Sequence, residues 1–141
     1  MPHRLPLALI AALAVAGAAC GSGKKPAPVV VAMAGQVVPT SQLQTIAAGI
    51  CDAARQAATS VDTARQTFFG QSHDGIHLIA RGLQDKHRDA AATLLETKVK
   101  VEEDFVNPPP PAKLAADLRS LAAVTRTSLA IFDVTVDRCP T

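Results

Sequence analysis

Residues 41–69 read Ser-Gln-Leu-Gln-Thr-Ile-Ala-Ala-Gly-Ile-Cys-Asp-Ala-Ala-Arg-Gln-Ala-Ala-Thr-Ser-Val-Asp-Thr-Ala-Arg-Gln-Thr-Phe-Phe. The apolar positions Leu43, Ala47, Ile50, Ala54, Ala57, Val61, Ala64 and Phe68 alternate steps of four and three without interruption. That spacing is the seam of a helix packed lengthwise against others. Ser41 with Gln44 three residues on makes a capping-box start, and Pro39 stops anything upstream from running in. Asp52 with Arg55, and Asp62 with Arg65, fall on the outer face at i,i+3. Gly70 is the expected stop. The stretch predicts one long first helix and an all-α fold.

Downstream, Gln71 to Gly75 reads as a turn with Ser72 or Asp74 as cap. Ile76, Ile79, Ala80 and Leu83 then predict a short second helix. Asp85 caps a third, with His87, Ala91, Leu94, Leu95, Val101 and Phe105 inward and Asn107 at its end. Pro108 to Pro111 forbid helix continuation and read as a stiff polyproline spacer of about 12 Å. A fourth helix runs from about Ala112 to Arg138, with Leu114, Leu118, Leu121, Thr125, Leu129, Phe132 and Val136 as its stripe.

Upstream lies linker composition, Gly21 to Pro28, in which Lys24 and Lys25 are placed to touch anionic headgroups or are simply solvated. Val29 to Val38 is apolar and β-branched, an extended segment lying on the domain or a disordered arm. Exposed without charge it invites aggregation, so it should be covered by this chain or by a partner. Residues 1–20 have the plan of an export signal: His3 and Arg4, an apolar run Leu5 to Val15, then small residues before Cys20. The run is shorter than the ~20 apolar residues that span a bilayer.

Gly17-Ala18-Ala19-Cys20 resembles the bacterial lipobox, with Gly17 where a branched aliphatic residue is commoner. That resemblance implies acylation of Cys20 as the mature N-terminus. The rival cut, Ala16-Gly17-Ala18 before Ala19, gives a freely secreted protein. Three cysteines in an oxidising compartment leave one over; if Cys20 carries lipid, Cys51 and Cys139 remain as a pair.

That pair constrains topology. Cys51 lies about 15 Å into a first helix of about 40 Å, and a bridge requires Cα atoms within about 7 Å. A continuous helix over residues 74–106 would bring the fourth helix to the wrong end. A break near Gln84-Asp85 returns it antiparallel, beside Cys51. The expectation is an up-down antiparallel bundle of four helices, the second short. Residues 1–19 form the signal peptide, 20–39 the lipid-anchored tether, and 40–141 the bundle domain.

The sequence has 14 Lys and Arg against 12 Asp and Glu, a net charge of +2, which supplies no basic face for nucleic acid. It has no Trp or Tyr and four Phe, so Ala, Leu, Ile and Val must build the core. No nucleophile elbow, phosphate loop or Cys-His pairing occurs, and the chain is read as no enzyme, with no cofactor. His73, His77 and His87 are the candidate metal ligands: the first two are i,i+4, and the third starts the next helix. The bland reading makes His77 and His87 half-buried packers and His73 a turn residue. Glu102-Glu103-Asp104 opposes the helix dipole and reads as a solvated face, with Lys98–Glu102 and Lys100–Asp104 as offsetting pairs.

The body, with His77 followed by Arg88-Asp89-Ala90 and Leu94-Leu95-Glu96, resembles small lipoproteins of high-GC Gram-positive bacteria with no assigned role. The resemblance implies only the address and an all-helical fold. The function expected is a membrane-anchored extracytoplasmic lipoprotein, a non-catalytic module that binds an envelope protein or serves the envelope structurally. The alternative is a metal-binding lipoprotein using the three histidines.

Overall fold

A computed structural model describes residues 29–140. The expected signal peptide, the expected acylation at Cys20 and the expected tether up to Pro28 lie outside the described residues. The chain is mostly helical. A β-hairpin, β1 (Val30–Met33) and β2 (Gln36–Pro39), precedes α1 (Thr40–Gln56), α2 (Val61–Gln71), α3 (His73–Leu83), α4 (Arg88–Val106) and α5 (Pro111–Ala130). No helix among the described residues is long and apolar enough to cross a membrane.

The expected first helix is two. Ser60 is extended (φ −154°) and its hydroxyl accepts from the Thr63 amide, so a cap and a new helix interrupt the pattern. The chain doubles back there: near the middle of α1, a Cβ on Gly49 would come within 2.5 Å of the Ser72 hydroxyl just past α2. The seam nonetheless survives the break. Leu43, Ala47, Ile50, Ala54, Ala57, Ala64 and Phe68 are buried and Val61 packs against them. Gln44 does not complete a capping box; its amide donates to the Thr135 carbonyl, and α1 starts at Thr40 without a side-chain cap. The pairs Asp52–Arg55 and Asp62–Arg65 form as expected.

The expected turn before the second helix is only a bend. Helical bonds pass through it, from the Ser72 amide to Phe68 and from the Ile76 amide to Ser72. The Ser72 hydroxyl, buried, donates 2.8 Å to the Ile46 carbonyl of α1. The break after Leu83 does occur, with α4 starting at Arg88 and His87, rather than Asp85, at its cap position. Between α4 and α5, Pro111 is already the first helical residue, where its missing N–H costs nothing. Lys113 meets Asp104, and Lys100 meets Asp117, which fixes α4 and α5 as antiparallel neighbours.

α5 stops at Ala130, well short of Arg138. Asp133 takes a left-handed conformation (φ 58°), the Asp133 amide bonds to Ala130 and the Val134 amide to Leu129. This is a Schellman cap, and Val134 closes it by burying beside Leu129. The tail then reverses along α1, from Gln44 opposite Thr135 to Cys51 opposite Cys139, whose sulfurs are 2.08 Å apart and Cα atoms 5.1 Å apart. The pairing matches the expectation, but an extended tail reaches Cys51 instead of a helix end.

An aspartate is poorly suited to that cap. Its Cβ crowds the left-handed backbone, and its charge sits at the negative end of the helix. Asp133→Gly should raise stability by about 1 kcal/mol, read as a higher urea midpoint with an unchanged denaturant slope.

The hairpin turns through Ala34 (φ 50°) and Gly35 (φ 73°), two left-handed residues as a type I′ turn requires. Its register pairs Val31 with Val38 and Met33 with Gln36. Met33 and Val38 join the core, and Met33 packs on Gly82 of α3. One side of the Val-rich segment is therefore covered by this chain.

A candidate functional site of paired charges on α3, α4 and α5

The helical start at His73 puts His73 and His77 one turn apart, their ring centroids separated by 4.9 Å. α4 lies alongside and presents Lys98 and Glu102. His73 Nε2 is 2.8 Å from Glu102 Oε1, Lys98 Nζ is 2.7 Å from Glu102 Oε2, and His73 Nδ1 is 3.0 Å from Asp74 Oδ1. Lys98 is buried, its side chain 5 % exposed, and pairs with Glu102. Lys98 Nζ also stands 3.5 Å from His73 Nε2. Glu102 and Lys98 thus converge on Nε2 of His73, and Asp74 stands at its Nδ1.

An aromatic knot backs this cluster. Phe68 is fully buried, its ring 5.5 Å from Phe105 and 5.2 Å from Phe69, and Phe69 is 5.2 Å from the His73 ring. The Arg65 guanidinium lies 6.0 Å from the Phe105 ring centre and donates to the Phe105 carbonyl at the end of α4. It thereby supplies the positive charge that an acidic helix end wants.

His77 is held below its ordinary value of 6.5, first by partial burial of its ring, then by the Lys98 ammonium and His73. Glu102 and Asp74 oppose this without reversing it. The unfolded chain therefore binds this proton more readily than the folded one, so His77 removes stability as pH falls through 6.5.

A second cluster lies further along α4. Asp104 and Asp117, both 9 % exposed, share Lys113, and Asp117 also takes Lys100 at 2.6 Å. Burial followed by a hydrogen bond with Asp117 pushes Asp104 above the usual carboxylate range. Burial acts upward on Asp117 too, but hydrogen bonds from Lys100, Lys113 and Asp104 outweigh it and hold its carboxyl at about 2. The two carboxyls are thus pushed apart, Asp104 upward and Asp117 downward. Asp104 Oδ2 is buried without a hydrogen-bond partner.

The sign for acid stability follows. Lowering Asp117 from 3.8 to about 2 is worth about 2 kcal/mol. That contribution is whole above pH 3.8 and is lost as pH falls toward 2. Asp104, raised, acts oppositely: its contribution is present below 3.8 and is lost as pH rises through its folded value. Asp117→Asn should flatten the acid limb of a melting-temperature profile between pH 4 and 2, while lowering the plateau because Lys100 and Lys113 lose their shared partner.

The acidic run is accordingly not a solvated face. Only Glu103 is exposed; Glu102 turns to His73 and Lys98, and Asp104 turns into the α4–α5 contact. Lys98–Glu102 forms as expected, whereas Lys100 takes Asp117 in place of Asp104. Asp117 is the residue that the sequence reading does not single out, and the burial of Lys98 is the other departure from it. Both carry a signal: Lys98 continues the seam Ala91, Leu94, Val101, Phe105, and Asp117 borders Leu114, Leu118 and Leu121.

His87 stands apart, exposed at the start of α4, about 20 Å of helix from Glu102. The structure brings His73 and His77 together and leaves His87 out. Among the described residues no three His, Cys, Asp or Glu side chains are grouped to hold a metal ion. A separate cleft of about 630 Å³ opens between α1 and the tail, lined by Gln44, Ala47, Asp52, Arg55, Val136 and Arg138. It shares no residue with either charged cluster. No protein family, curated protein or solved structure matches the chain.

Proposed function

We propose that this chain is an exported, lipid-anchored module of the extracytoplasmic membrane face, a non-catalytic antiparallel bundle that binds another envelope macromolecule or serves the envelope structurally. The observation that carries the reading is the partition of the cysteines. Cys51 and Cys139 face each other at bonding distance, which leaves Cys20, at the end of a lipobox-like Gly17-Ala18-Ala19-Cys20, as the one available for acylation. A pair closing most of the domain also suits an oxidising compartment.

The two charged clusters support a binding or structural role over a catalytic one. Their polar atoms are mostly spent on each other: Glu102 on His73 and Lys98, Asp117 on Lys100 and Lys113. Detergent-phase partitioning of the protein from host membranes tests the anchor. The native chain should enter the detergent phase and Cys20→Ala should not; equal partitioning of the two would reject it.

A metal-binding reading rests on the 4.9 Å approach of His73 and His77, with His87 as the third ligand only if α4 is rearranged. Calorimetric titration with zinc and copper decides. Micromolar binding lost in His77→Ala would favour this reading, and no heat would retire it.

A further inference from the structure

The β-hairpin is apolar on both faces. Its antiparallel register sets Val30 opposite Pro39 and Ala32 opposite Val37, and alternation places these four on one side. Val31, Met33 and Val38 take the other side and pack against the body. A hairpin covering a core on one face ordinarily turns polar residues outward. Here the outer face is Val30 at 48 % exposure, Ala32, Val37 at 70 % and Pro39, and Val29 just before the strand is 70 % exposed. No residue from Pro26 to Cys51 carries a charge. An apolar face of this kind on an otherwise charged domain marks a surface that something covers.

Position in the chain selects the occupant. Val29 is nine residues after Cys20, so a fully extended connection keeps the hairpin within about 30 Å of an acylated cysteine. Lys24 and Lys25 lie within that connection and complement anionic headgroups. A tether this short gives the hairpin a high effective concentration at the bilayer, so weak apolar contact suffices to dock it.

We propose that the outer hairpin face, Val30, Ala32 and Val37, docks on an anionic lipid surface and lays this end of the domain against the membrane. The inference rests on the lipid-anchor reading. Val37 and Val30 enter the headgroup boundary. Val106, 76 % exposed at the C-terminal end of α4, is an exposed apolar residue outside the hairpin.

The chain has no Trp and no Tyr, so Val37→Trp supplies a single fluorophore at an exposed site. The full processed protein is reconstituted in phosphatidylglycerol–phosphatidylcholine vesicles with and without brominated acyl chains, and its intact mass is read on the same sample. The expected result is an acylated chain whose Val37→Trp emission shifts to the blue and drops about twofold with brominated lipid, as for a side chain at interfacial depth. Val106→Trp should be unaffected, and Val30→Lys should restore the emission of Val37→Trp. An acylated chain with Val37→Trp unquenched overturns the docking while leaving the anchor standing. A blue shift without quenching, accompanied by a dimer in sedimentation, overturns it in favour of a second copy. If no acyl chain is present, the anchor reading fails by itself, and the quenching still decides: its presence supports docking by the hairpin alone and its absence overturns it.

Discussion

Cys139→Ser should lower the stability of the domain by about 4–5 kcal/mol on the chain-entropy account, because the bridge closes a loop spanning 88 residues. Total stabilities of small domains are about 5–15 kcal/mol, so this single change threatens folding itself. The effect should be large here because little else holds the tail. Beyond the Schellman cap it has no regular structure, and its fixed points are the Gln44 bond to Thr135 and the half-buried Val136. Urea unfolding of Cys139→Ser, Cys51→Ser and the double variant checks the account. All three should lose the same amount, since each removes the same bond. A loss below about 1 kcal/mol in all three would mean that the tail is held by its packing.

Phe68→Ala should cost about 3–5 kcal/mol, with Phe68→Leu costing roughly a third of that. Phe68 is fully buried where α2, α3 and α4 meet, and three of the four phenylalanines in the chain, Phe68, Phe69 and Phe105, gather there. The loss should also reach the charged cluster. The Phe68 ring stands 6.2 Å from His73 and backs the side of α3 that holds it against Glu102. Histidine titration by NMR should therefore show His77 in Phe68→Leu moving back toward 6.5, as the ring is rehydrated and drawn away from Lys98. A folded variant in which His77 titrates as before would separate the aromatic knot from the site.

Periodicity reports which residues face inward, and it reported that well: the eight seam positions from Leu43 to Phe68 are buried or packed on the core. It does not report whether the helix carrying them is continuous. Two helices folded back on each other keep the same stripe, and only Thr59-Ser60, a capping signal before Asp62, marks the break. The end of α5 and the turn of the hairpin were hidden for a shared reason. Each places a non-glycine residue, Asp133 or Ala34, in a left-handed conformation that ordinarily announces itself by glycine or asparagine.

The charged site was half legible. Lys98–Glu102 follows from helical spacing alone, and so does the adjacency of His73 and His77. The contacts from α3 to α4, and from α4 to Asp117, depend on how helices dock, which spacing does not contain. The better clue was a lysine in an apolar seam. Lys98 interrupts Leu94 and Val101 at positions that should be buried, and a buried lysine obliges a carboxylate nearby. Glu102, one turn on, was that carboxylate, and its reading as a solvated residue overlooked the obligation.

Intact mass of the protein from the membrane fraction of its host, with and without reduction and alkylation, tests the central claim most directly. The account predicts a chain beginning at Cys20 with acyl chains attached, and two further thiols, Cys51 and Cys139, that alkylate only after reduction. A chain beginning at Ala19 without lipid, or one whose Cys51 and Cys139 alkylate before reduction, would contradict it.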